Sequence, residues 1–110
     1  MIDNLLIDTV KIKQQYEENL YKIRCEFLKS ICSFEGFIEG YVDKSGNRIF
    51  ICTEDCRFSN NKKYYEALRE FLKDTKLLIE ILLLEEDEIQ EYKDCNIIDN
   101  NMFKCTSITK

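Results

Sequence analysis

The chain has 110 residues, a formal net charge of −5, six cysteines, and no His, Pro or Trp. A chain of this length is expected to form one domain, residues 1–110, and to bury about two-thirds of its unfolded surface, so a core without staples is possible. Lack of His removes the usual general acid–base and metal ligand, and the net negative charge opposes binding to nucleic-acid or membrane phosphates.

The first residues, Met1-Ile2-Asp3-Asn4, carry no basic segment leading into an apolar stretch with a cleavage site. An intracellular, cytoplasmic location is therefore expected. From residue 3 to 33 the spacing predicts one long helix. Ile2, Leu6, Thr9, Tyr16, Leu20, Ile23, Phe27 and Phe34 step by three or four, the pattern of a single buried face. Asp3 or Asn4 can cap its start.

Gly36 ends that helix. Phe37 to Thr53 then reads as a β-hairpin centred on Ser45-Gly46. Pairing outward sets Asp43 against Arg48, Val42 against Ile49 and Tyr41 against Phe50. Each such cross-strand pair contributes about 0.2–1 kcal/mol. Gly46 supplies the positive φ that a tight turn needs.

A polar connection follows, and Ser59, Asn60 or Asn61 can cap a second helix over about Lys62 to Tyr92. At 1.5 Å per residue it would span about 45 Å, so a bend near Asp74-Thr75 is expected. Its centre is Leu77-Leu78-Ile79-Glu80-Ile81-Leu82-Leu83-Leu84, where seven of eight residues are apolar. That length also fits a strand buried on both faces. Leu and Glu favour helix, and the helical spacing continues upstream through Tyr65, Leu68 and Leu72. An eight-residue stretch is too short to span a membrane, which needs about 20 apolar residues. A helix apolar on nearly all sides needs two covers. Leu77, Ile81 and Leu84 are therefore candidates for an outward-facing homodimer seam.

The tail changes character at Asp94. Residues 102–108 alternate weakly and can add a third strand to the hairpin, which a lone pair of strands needs. The expected fold is α+β: two long helices packed on a short antiparallel sheet, in the order α-β-β-α-β.

No nucleotide-binding, phosphate-binding or hydrolase motif occurs, and no His can activate a Cys. The chain is not read as an enzyme, and no cofactor is implied. The six cysteines are expected to be free thiols in a reducing compartment. The alternative is a zinc-stabilised regulatory module with Cys52, Cys56, Cys95 and Cys105 as ligands. Nine residues separate Cys95 from Cys105, which is wide for a zinc knuckle.

Charge is lopsided. Residues 1–63 hold ten basic and ten acidic side chains, whereas residues 64–110 hold six against eleven. Glu80, Glu85, Glu86, Asp87, Glu88 and Glu91 form the densest part. Such runs are usually solvated faces, but they can also be the footprint of a basic partner. The function expected is that of a small acidic binder or inhibitor of another macromolecule, in the manner of antitoxins, immunity proteins or phage-borne inhibitors.

Overall fold

In a computed structural model, residues 2–43, 47–55, 57–73 and 77–107 are described. The elements are α1 (Ile2–Ile31), β1 (Phe37–Val42), β2 (Arg48–Thr53), α2 (Phe58–Phe71), β3 (Glu80–Leu84), α3 (Glu86–Asp94) and β4 (Phe103–Thr106). The class is α+β, as expected, but the sheet is mixed rather than antiparallel. Its four strands run in the order β3-β2-β1-β4. β1 is antiparallel to both neighbours, and β2 and β3 are parallel.

The hairpin register is the expected one: Tyr41 pairs with Phe50 and Val42 with Ile49. The Asp43 N–H donates to the Arg48 carbonyl at 3.3 Å. The turn centre, Ser45-Gly46, lies outside the described residues. Farther out, the register shifts between Phe37 and Glu39. Gly36, at φ 87°, turns the chain after α1, and its carbonyl accepts from the Glu54 N–H at 2.8 Å. The tail strand also forms, with Glu39, Gly40, Tyr41 and Val42 of β1 paired to Thr106, Cys105, Lys104 and Phe103.

The second half departs from expectation. No helix runs from Lys62 to Tyr92. α2 ends at Phe71, the apolar octet yields the strand β3, and a short α3 follows. The capping candidates Ser59, Asn60 and Asn61 lie inside α2; its N-cap is Arg57. The Asp55 carboxylate holds that entry, accepting from the Arg57 N–H at 3.0 Å and from its Nε at 2.6 Å. The expected bend at Asp74-Thr75 lies outside the described residues.

Strand alternation explains why the octet is so apolar. Ile81 and Leu83 face the layer of α1 and α2, with Ile49, Ile51 and Val42. Leu82 and Leu84 face α3, with Tyr41, Phe50, Cys52, Ile89 and Ile98. A strand covered on both faces reads as a continuous apolar run, as parallel strands usually do. Tilted ring pairs join α2 to α1 and to the turn after it, Phe27–Phe71 at 5.4 Å and Phe34–Tyr64 at 5.5 Å between centroids. α1 lies close on the sheet at Gly40, where a Cβ would come 2.5 Å from Leu28 Cδ1.

The interior side of α1 is Cys25, Phe27, Leu28, Ile31 and Cys32, all buried. Tyr16, expected on that face, is instead 58% exposed. No described helix is long and apolar enough to cross a membrane.

Candidate partner-binding surface

The acidic residues lie along one edge of the sheet, at both ends of β3. Glu80 opens β3 at the sheet edge, and Glu85, Glu86, Asp87 and Glu88 follow directly as the start of α3. Glu91 lies further along the same helix. All six side chains are exposed. Among the described residues none of them forms a salt bridge. The carboxylates at the start of α3 have a local structural role as well. A helix N-terminus leaves N–H groups without intrahelical partners and carries a partial positive charge. Here the Glu88 carboxylate accepts from the Glu85 N–H at 3.2 Å, and Asp87 Oδ1 accepts from the Glu88 N–H at 3.0 Å. The run is therefore the N-terminal cap of α3, not a stripe along a long helix.

The expected dimer seam does not form an outward patch. Ile81 is 6% and Leu84 4% exposed, each committed to an opposite face of the chain's own sheet. Leu77 is half-buried. The residue left out is Leu78, at 76% exposure. It borders a groove of about 290 Å³ between α1 and the lead-in to β3, with Tyr16, Leu20, Ile23 and Leu77 as apolar walls. Arg24 also lines that groove while remaining buried, and it donates to the Asp43 carbonyl at 3.0 Å. Burial pushes the Arg24 guanidinium below its ordinary value, and the charge of Asp43 opposes that shift.

The cysteines expected as zinc ligands are not brought together, although Cys105 lies near Cys25 and Cys32 on the α1 face. Cys52 lies on the α3 face of the sheet and Cys105 packs against the α1 face. Cys95 is exposed at the C-cap of α3. Cys56 lies outside the described residues. With the sheet between Cys52 and Cys105, these thiols cannot share one tetrahedral ion, whose bonds to sulfur are about 2.3 Å. Among the described residues no three Cys, Asp or Glu are grouped to hold a metal. Cys25, Cys32, Cys95 and Cys105 are unbridged. Burial pushes the Cys25 and Cys105 thiols up, away from the reactive thiolate.

One polar cluster was not visible in the sequence. On the α3 face, Lys93 Nζ donates to Glu39 Oε1 at 2.7 Å, and Lys104 Nζ lies 3.6 Å from the other Glu39 oxygen. Both ammonium groups sit over the Tyr41 ring, at 5.4 and 5.6 Å from its centroid. Burial pushes the Glu39 carboxyl up, but the Lys93 hydrogen bond and charge, followed by Lys104 and Tyr41, hold it below the ordinary glutamate value. The same hydrogen bond raises Lys93. The cluster ties α3 and β4 to β1. The one sequence signal was alternation, which places Glu39 beside Tyr41 on the same strand face.

Comparison with protein-family models, with curated proteins and with solved structures returned no match.

Proposed function

We propose that this chain is a non-catalytic binding protein that occupies a basic surface on another protein, as small inhibitors and immunity proteins do. The observation that carries this reading is the acidic sheet edge: six exposed carboxylates on consecutive elements, without salt bridges among the described residues. Concentrated charge of one sign steers a partner of opposite sign and speeds encounter. The absence of His from the whole chain fits a role without acid–base chemistry. The unbridged thiols of Cys25, Cys32, Cys95 and Cys105 suit a reducing, cytoplasmic setting.

The test must separate binding from folding. Reversing Glu85, Glu86 and Glu88 together would remove the cap of α3, so those positions confound the two. Glu80→Lys combined with Glu91→Lys leaves the first turn of α3 intact. In affinity capture from the native host, wild-type protein should retain a basic protein that the double variant loses. Retention should also fall steeply between low salt and 0.5 M salt, as the Debye length shrinks well below ~10 Å. Equal, salt-insensitive capture by both proteins would overturn the proposal.

A further inference from the structure

β3 is an edge strand, and its one strand neighbour among the described residues is β2. In a parallel ladder, alternate residues turn both backbone groups to the same side. The Glu80 N–H donates to the Asn47 carbonyl at 2.9 Å, which fixes the phase. Glu80, Leu82 and Leu84 therefore point their backbone groups at β2. Ile81 and Leu83 point theirs outward.

Edge strands are usually blunted by Lys, Pro or a bulge. β3 has none of these. Its sequence is Glu80-Ile81-Leu82-Leu83-Leu84, and its register against β2 is unbroken. The opposite edge differs: β4 has four residues and carries Lys104 in its middle. The side chains of Ile81 and Leu83 are already packed against the α1 layer. What this edge can offer a partner is backbone, bracketed by Glu80 at one end and Glu85 and Glu86 at the other.

A second copy of the chain fits this edge poorly. Two-fold antiparallel pairing about Leu82 sets Glu80 opposite Leu84 of the copy, with Glu85 of the copy next to it. Charges of one sign brought this close repel across the new seam at both of its ends. We propose that β3 is a strand-addition site for an extended segment of a partner protein, apolar in its middle and flanked by Lys or Arg. The inference rests on the binding function proposed above and specifies how that binding is made. Main-chain hydrogen bonds at Ile81 and Leu83 supply affinity, and the flanking carboxylates select the basic ends.

The probe is a synthetic peptide, Lys-Lys-Val-Thr-Val-Ile-Lys-Lys, with a Glu-flanked control of the same centre. Amide hydrogen exchange is followed residue by residue by NMR on the full chain. The Lys-flanked peptide should slow exchange at Ile81 and Leu83 by about tenfold or more. Leu82 and Leu84, already bonded to β2, should change little. Leu83→Pro removes an outward N–H, a substitution edge strands tolerate, and should abolish the response. Peptide N-methylated at alternate residues gives the same loss without altering the protein. Three results would overturn the inference: unchanged exchange at both residues with saturating Lys-flanked peptide, an equal response to the Glu-flanked control, or slowing caused by raised protein concentration alone, which would assign the edge to a second copy. If capture still depends on Glu80 and Glu91 while the edge amides stay silent, strand addition fails and the binding function stands.

Discussion

Gly40→Ala is the sharpest probe of how α1 seats on the sheet. The added Cβ would lie 2.5 Å from Leu28 Cδ1, 3.2 Å from Phe37 Cζ and 3.3 Å from Leu28 Cδ2. Leu28 is fully buried and Phe37 is 3% exposed, so neither can swing into solvent. Overpacking of this kind costs roughly 1–3 kcal/mol. Replacing Gly in a strand returns about 0.5–1 kcal/mol of chain entropy. The net expectation is a loss of about 0.5–2 kcal/mol, or several degrees in melting temperature at about 4–8 °C per kcal/mol. Urea denaturation of four proteins completes the cycle: wild type, Gly40→Ala, Leu28→Ala and the double variant. Leu28→Ala alone should cost about 2–5 kcal/mol through its cavity. In that background Gly40→Ala should be neutral or stabilising, because both Leu28 atoms it strikes are gone and the Phe37 ring can shift into the space they leave. A Gly40→Ala cost that is zero in the wild type, or the same in both backgrounds, would refute the close seating of α1.

Two further outcomes follow from the polar cluster and the thiols. The folded-state pKa of Glu39 is depressed, so its contribution is present above the unfolded value of about 4.3 and is lost as pH falls through the folded value. Glu39→Gln should therefore be less stable than wild type at pH 7, and the gap should close on acidification below about pH 4; a gap independent of pH would rule out the ion pair as its cause. In a thiol-reagent time course on native protein, Cys95, which is exposed, should react in the fast phase, with buried Cys25, Cys32 and Cys52 modified only on unfolding. Cys95→Ser should remove one equivalent from that fast phase, and an unchanged fast phase would place Cys95 in the interior.

The parts legible in the sequence were those governed by near neighbours. The hairpin register followed from matching Tyr41 with Phe50 and Val42 with Ile49 around one turn. α1 and the tail strand followed from periodicity. The octet was misread because Leu favours helix in isolation, whereas here two layers of side chains compete for its residues. Burial on both sides makes alternation vanish from the pattern, and tertiary context overrides propensity. The seam expected at Leu77, Ile81 and Leu84 presupposes a helix surface, whereas Ile81 and Leu84 lie buried on opposite faces of a strand. The acidic run was read correctly as exposed, but its capping work depends on α3 starting at Glu86. The Glu39–Lys93–Lys104 cluster joins residues far apart in the chain, and no local pattern could announce it.

The position of β1 between β2 and β4 has a consequence for synthesis. β1 can pair with β2 as soon as the hairpin emerges, but its other flank waits for Phe103–Thr106, roughly 50 residues later. At ~5–20 residues per second that interval is about 3–10 s. Throughout it the growing chain carries an open strand flank between Glu39 and Val42, with Gly40 at its middle and Leu28 already in position to pack against it. β4, the latest of the four strands to be made, is thus the one that closes the open flank of β1. A nascent chain stalled before residue 103 should be captured by chaperones that recognise extended backbone, and release should coincide with completion of β4.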